Sequence, residues 1–181
     1  MPAHNRALQL DATQDQGPCV FISHRSADKP VARVLAELMR SVSVDYWLDE
    51  EDLDLQAAQA SGDAAAVVER VEQAISRSNH LISIISPRTR GSWWVPFEVG
   101  AARRAWGTAD LSRLVTLVLP GVDELPEYFR LTRNLTSTAE CYQWVARLPA
   151  LSFVTPTTVA PSPSLAQFLP HEPRSLRYSP A

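Results

Sequence analysis

The feature that most constrains the fold is an alternation of short apolar runs with segments of helical periodicity. Runs of this length, rich in β-branched residues and bounded by turn formers, are typical of strands buried on both faces. The segments between them repeat apolar residues at the three- and four-residue spacing of an amphipathic helix. The strand candidates, in chain order, are PCVFIS, VDYWLD, HLISIIS and RLVTLVLP.

This β-α alternation predicts an α/β fold, because nearly continuous apolar strands belong in a parallel sheet covered on both sides. We expect a flavodoxin-like, doubly wound parallel sheet of about five strands with helices on both faces. The acidic stretch EEDLDLQAAQASGD is expected to form a long polar loop, and a short strand and a last helix are expected after residue 120.

Three regions differ in composition along the chain. Residues 1–16 are polar and aperiodic, which predicts a flexible leader, and residues 17–150 carry the βα pattern of one domain. From Pro149 onward, 33 residues contain half of the 14 prolines and show no period. We therefore expect residues 151–181 to form a proline-rich tail that is flexible or that docks on something.

Charge and cysteine content exclude several classes of protein. The net charge of -3, with 20% charged residues, gives no basic footprint for nucleic acid. Cys19 and Cys141 have neither a CxxC nor a Cys/His spacing, so no disulfide framework and no metal site is predicted. Without a signal peptide or an apolar run of about 20 residues, the expected location is the cytoplasm, away from the membrane.

One acid, Glu98, stands alone in the aromatic and apolar stretch GSWWVPFEVG. If a helix begins between Ser92 and Val95, Trp94 and Glu98 lie one turn apart on the same face. Ligands of open α/β sheets bind at the carboxyl ends of the strands, which is where this stretch lies. The alternative is that Glu98 complements the helix dipole and that Trp94 is a packing residue.

Residues after the first two strands are the other candidates for a ligand site. Phe21, Ser23, His24 and Arg25 end the first strand, although Phe21 could be core and Arg25 a solvated charge. The second strand leads into a run of acids without a metal-loop pattern, and this run is typical of a solvated loop. Its members are Asp49, Glu50, Glu51, Asp52 and the apolar Leu53.

Four segments taken together resemble the Toll/interleukin-1 receptor (TIR) domain, in its bacterial NAD-cleaving branch. The resemblance covers residues 17–150 and is carried in order by VFISHRSADKPVARVLAELM, VDYWLDEEDL, VVERVEQAISRSNHLISIISP and SWWVPFEVGAA. It implies that Glu98 acts on the nicotinamide-bearing ribose of NAD⁺ and that Trp94 lies against the nicotinamide or that ribose. Ser92 matches the serine of the same motif, and the loop from Asp49 to Leu53 matches a loop that stacks neighbouring protomers.

The resemblance implies an NAD⁺ glycohydrolase or cyclase that needs no cofactor besides its substrate. Its products are nicotinamide and either ADP-ribose or a cyclic ADP-ribose isomer. Stand-alone proteins of this type in Thoeris-like antiphage defence form homo-oligomers and signal to a separate effector through the nucleotide. The alternative is a TIR adaptor that assembles through the same surfaces without turnover.

Overall fold

The computed structural model describes residues 17–89, 92, 94–106, 111–148 and 164–180. Its centre is a parallel sheet of five strands in the order β2-β1-β3-β4-β6, which confirms the predicted fold class. A separate two-stranded sheet pairs β5 with β7. The strands are β1 (Cys19–Ser23), β2 (Asp45–Trp47), β3 (His80–Ile85), β4 (Leu114–Val118), β5 (Glu124–Pro126), β6 (Arg133–Leu135) and β7 (Arg177–Ser179).

Helices cover both faces of the sheet, and each face has its own apolar core. One core joins the sheet to the first and last helices, and Leu35, Trp144 and Val145 are among its buried residues. The other core joins the sheet to the three middle helices, and Val71 and Ala102 are among its members. The helices are α1 (Lys29–Ser41), α2 (Leu53–Ser61), α3 (Ala64–Arg77), α4 (Trp94–Trp106) and α5 (Thr138–Arg147).

The acidic stretch after β2 is not the long loop that its composition predicted. Within it, α2 begins after Asp52, whose carboxylate accepts a hydrogen bond from the Leu55 amide, and ends at Gly62 in the left-handed conformation (φ 73°). Leu55 is the buried residue of this helix. A helix with one buried anchor carries little amphipathic signal, and its polar residues therefore resembled a loop.

The proline-rich tail was expected either to be flexible or to dock, and residues 164–180, the part that the structure describes, dock. Leu165 and Leu169 are buried in the core beside α1 and α5, and β7 pairs with β5. The guanidinium of Arg174 donates hydrogen bonds to the carbonyls of Val118 and Leu119 at the end of β4. This segment docks on the chain's own domain, which composition alone cannot reveal. The leader at 1–16 and the start of the tail up to 163 lie outside the described residues.

Parallel pairing brings the carboxyl ends of the strands to one edge of the sheet. There the segments after β1 and β2 face the start of α4, which follows β3. Nothing helical in the described ranges is long and apolar enough to cross a membrane.

Candidate active site

A cavity of about 360 Å³ lies at this edge of the sheet and contains Glu98 in its wall. The backbone places Glu98 one turn into α4, as the spacing of the motif predicted. Glu98 is 8% exposed, so its carboxyl group is largely shielded from bulk water although it lies in the wall of the cavity. The wall is formed by His24, Arg25, Ser26, Trp47, Asp49, Leu55, Gln59, Val67, Val71, Ser92, Trp94 and Glu98.

The carboxyl group of Glu98 is held by Ser23, the last residue of β1. The Ser23 hydroxyl donates a hydrogen bond of 2.5 Å to Oε2 of Glu98, and both groups are buried. Burial raises the pKa of Glu98 to about 8; the Ser23 hydrogen bond acts in the opposite direction, and the negative charge of Asp49 raises the pKa further. A carboxyl group with its pKa near neutrality can change charge state when a charged ligand arrives.

Trp94 lies one turn before Glu98 and forms part of the same wall, so the aromatic plane and the acid do converge on one cavity. The indole is 44% exposed, and it meets the ring of Phe97 edge-on with a centroid distance of 5.8 Å. An indole that is half open to solvent is not a core packing residue. It offers a face on which a planar ligand can stack at the mouth of the cavity.

His24 and Asp49 bring two polar atoms together in this wall. The Nε2 atom of His24 lies 3.4 Å from Oδ1 of Asp49, and the His24 side chain is only 2% exposed. Nδ1 of the same ring lies 3.3 Å from the Ile22 carbonyl oxygen. Neither Nε2 nor Oδ1 has a hydrogen-bond partner among the residues that the structure describes.

Arg25 and Ser92 lie at the rim. The Arg25 guanidinium donates a hydrogen bond to the Arg88 carbonyl oxygen and thereby joins the segment after β1 to the segment after β3. The Ser92 amide donates to the Thr89 carbonyl oxygen at 2.9 Å, in the turn that precedes α4. Both residues border the cavity, which is where the sequence predicted them to lie.

Phe21 is not placed to touch a ligand, contrary to the prediction that grouped it with Ser23 and His24. Its ring is completely buried and stacks on Trp47 with a centroid distance of 4.5 Å. Side chains alternate across a strand, so Phe21 and Ser23 share one face of the sheet. Phe21 packs behind Trp47, which itself forms part of the cavity wall.

Asp52 is completely buried, so it cannot contact a neighbouring protomer as the resemblance implied for this loop. Its carboxylate accepts hydrogen bonds from Trp47, Leu55 and Arg70. Burial acts to raise the pKa of Asp52, but these hydrogen bonds outweigh it and hold the pKa below its ordinary value. Asp52 therefore has a structural role, because it fixes the start of α2 and the cavity residue Trp47.

The other members of the acidic loop divide between ion pairs and solvent. Glu50 accepts two hydrogen bonds from Arg33, and the one from Nε is 2.6 Å long. Glu51 accepts a hydrogen bond from Arg40. Leu53 is 68% exposed, which leaves an apolar side chain of this loop open to contact with another molecule.

The sequence predicted only part of this wall. It named the segment after β2, which includes Asp49, as a candidate for the ligand site but favoured a solvated loop, and it predicted neither that this segment contains α2 nor that α3 reaches the site. Leu55 and Gln59 are four residues apart on α2, and this spacing is the one signal that could have placed a helix there. From α3, Val67 and Val71 complete the wall.

A larger cavity, of about 640 Å³, lies on the other side of the start of α4 and shares Ser92 with the first. It runs between Ser86, Pro96 and the β5–β7 pair. The acids in its wall, Asp123 and Glu124, are exposed. We assign the candidate active site to the smaller cavity, because that one holds the buried acid with the raised pKa.

The described residues hold no group of three or more histidines, cysteines and acids that could bind a metal ion. No curated protein matches the sequence significantly. The family model described as the TIR domain matches residues 20–146, which is more than half of the chain. Apart from Cys19 at the start of β1, the match spans all five strands of the parallel sheet and the helix that carries Glu98. The chain therefore belongs to the TIR domain family.

Proposed function

We propose that this TIR domain is an enzyme that cleaves the bond between nicotinamide and ribose in NAD⁺. The observation that carries the proposal is the single buried carboxyl group of Glu98, held by Ser23 in a cavity whose mouth is formed by Trp94. TIR domains include both NAD-cleaving enzymes and scaffolds, so the choice between them depends on this site.

The chemistry of NAD⁺ explains why one acid is enough. Most glycosidases use two carboxyl groups, one of which protonates the leaving group. The nicotinamide nitrogen of NAD⁺ already carries a positive charge, and the base departs neutral without a proton. What remains is to stabilise a ribose that becomes oxocarbenium-like, and a carboxylate that is shielded from bulk water does this by electrostatic attraction.

The raised pKa of Glu98 fits this role once the charge of the substrate is considered. In the free protein the group is largely protonated at neutral pH, because its pKa is about 8. A pyridinium that stacks near Trp94 brings a positive charge, which favours the ionised form of a neighbouring acid. The carboxylate is then produced in the complex, where the positive charge of the ribose develops.

Water that attacks the ribose gives ADP-ribose, whereas a nucleophile within the same molecule gives a cyclic ADP-ribose isomer. As part of the proposal, the nucleotide is a signal for a separate effector in bacterial antiphage immunity of the Thoeris type. The exposed Leu53, next to the paired acids Glu50 and Glu51, supports assembly of the chain with copies of itself. The same exposure is the observation that favours the alternative, a scaffold without turnover.

The test is release of nicotinamide from NAD⁺ by the purified protein, with the nucleotide product identified by mass spectrometry. Glu98→Gln keeps the shape of the side chain and removes its charge, so we expect release to fall by at least about a hundredfold. Glu72→Gln is the matched control, because Glu72 is exposed on α3 and lies outside the cavity wall. Equal rates for wild type and Glu98→Gln would exclude Glu98 as the catalytic acid, and assembly without release would favour the scaffold.

A further inference from the structure

The first turn of α4 brings Trp94 and Glu98 to the active site but is anchored by few contacts of its own. Among the first four residues of this helix only Val95 is buried, whereas Trp94 and Phe97 are exposed. The turn stands between two cavities, because Trp94 borders the one of about 360 Å³ and Pro96 borders the one of about 640 Å³. A segment with few buried apolar contacts has low local stability, so the position of this turn depends on the packing around Val95.

Val95 lies in an apolar cluster to which the C-terminal segment contributes. The other buried members come from the last residues of β3 and β4, from β5 and from the segment between β5 and β6. The buried residues of the cluster are Ile85, Val95, Val118, Leu125 and Phe129. Leu176, which precedes β7, and Tyr178, which belongs to it, pack against this cluster. The C-terminal segment therefore completes the packing around the anchor of the first turn of α4.

Tyr178 is fixed in this place by contacts of its hydroxyl, its ring and its backbone. The hydroxyl oxygen accepts a hydrogen bond of 2.7 Å from the side-chain amide of Asn134 in β6. The guanidinium of Arg130 lies over the ring, 4.4 Å from its centroid, which is a cation–π contact. The backbone pairs with β5, where Tyr178 lies opposite Leu125. Tyr178 thus connects β5 and β6 to the cluster that contains Val95.

We propose that the C-terminal segment, through Leu176 and Tyr178, positions the first turn of α4 and thereby the catalytic acid that follows this turn. The inference rests on the proposed function for the reaction that it serves. Tyr178 is a positioning residue, because it lies outside the wall of the cavity that contains Glu98. The family match covers residues 20–146, so this support comes from a part of the chain beyond the matched domain. The rival explanation is that Tyr178 only fastens the C-terminal segment to the domain.

Amide hydrogen exchange of the full chain tests this support without relying on any activity. The readout is the exchange rate at residues 98–101, whose amides bond to the carbonyls of the first turn, compared with the rate in α1 in the opposite core. Tyr178→Ala removes the ring and the hydroxyl, so we expect exchange at 98–101 to become at least about tenfold faster while α1 is unchanged. Arg177→Ala is the matched control, because Arg177 is the exposed neighbour in β7, and it should change neither rate. Equal acceleration in α1 and α4 would mean a general loss of stability and would overturn the proposal, as would no acceleration in α4.

Nicotinamide release separates positioning from fastening. A residue that only fastens the segment lowers Tm but leaves kcat of the folded protein unchanged, whereas displacement of Glu98 from the ribose lowers kcat. At a temperature where each variant is folded, we expect Tyr178→Ala to lower kcat about tenfold. Tyr178→Phe keeps the ring on the cluster, so its kcat should stay close to that of wild type.

Leu176→Ala truncates a second side chain of the same packing and serves as the test if Tyr178→Ala does not fold. It should also lower kcat, because it removes apolar contacts from the cluster that contains Val95. An unchanged kcat in the folded alanine variants would overturn the proposal. An equal loss in Tyr178→Phe and Tyr178→Ala would also overturn it, since packing of the ring would then not position the turn.

The two proposals fail separately. If the wild-type protein releases no nicotinamide but Tyr178→Ala accelerates exchange at 98–101 alone, the support of α4 stands and the enzymatic proposal fails. If nicotinamide is released and Tyr178→Ala has the exchange rates and the kcat of wild type, the enzymatic proposal stands and the positioning role fails.

Discussion

The protonation of Glu98 leads to a prediction about how NAD⁺ cleavage depends on pH. If catalysis needs the carboxylate, kcat/KM follows its ionised fraction in the free protein. With a pKa of about 8, about a tenth of the protein is ionised at pH 7. We therefore expect kcat/KM to rise about two orders of magnitude from pH 6 to pH 9, with a midpoint near 8.

The midpoint for kcat is expected at a lower pH than the midpoint for kcat/KM. kcat reports the enzyme–substrate complex, in which the positive charge of the bound pyridinium stabilises the carboxylate. Both parameters are measured from initial rates of nicotinamide release over this pH range, with stability checked at each pH. A kcat/KM that falls as the pH rises would mean that Glu98 acts as a protonated acid, and the electrostatic mechanism would be refuted.

Two substitutions should move this midpoint in opposite directions. The hydroxyl of Ser23 lowers the pKa of Glu98, so Ser23→Ala should shift the kcat/KM midpoint to higher pH. The charge of Asp49 raises the pKa of Glu98, so Asp49→Asn should shift the midpoint to lower pH. Glu72→Gln should leave the midpoint in place. Shifts of the same sign from Ser23→Ala and Asp49→Asn would show that the midpoint belongs to a different group.

Three further outcomes follow from the same contacts. The pKa of Glu98 is raised from 4.5 in the ordinary group to about 8 in the folded protein, so between these pH values the folded state binds a proton that the unfolded state has lost. The free energy of unfolding therefore falls as the pH rises through this range, by about 3 kcal/mol from pH 5 to pH 8. Glu98→Gln should therefore have a higher Tm than wild type by a margin that grows with pH, and a constant margin would contradict the linkage. Asp52→Ala leaves the largely buried Arg70 without its main partner and should cost about 3 kcal/mol in urea unfolding. Glu50→Ala, which breaks a pair with the exposed Arg33, should cost clearly less than Asp52→Ala, and equal costs would refute the role of burial. Trp94→Ala should raise KM for NAD⁺ more than Trp94→Phe does, since a ring keeps a stacking face, and equal KM values would exclude stacking.

The sequence alone determined the elements that depend on local periodicity. The four apolar runs are strands in the structure, and the alternation with helices predicted a parallel, doubly wound sheet because such strands must be covered on both faces. The four-residue spacing of Trp94 and Glu98 placed both on one face of α4. These predictions succeed because the period of a helix or a strand is visible as a pattern of apolar residues that are close together in the sequence.

Only the tertiary structure decided the electrostatics of the site. The contact of Ser23 with Glu98 joins residues 75 positions apart, and the raised pKa arises from burial that this packing creates. Asp49 lies in the cavity wall, and Asp52 is buried where its carboxylate accepts hydrogen bonds from Trp47, Leu55 and Arg70. Residues 164–180 dock on the domain through the buried Leu165 and Leu169 and through Arg174, although their composition resembles a free tail. Burial and long-range contacts depend on how the elements pack, and no local pattern in the sequence encodes them.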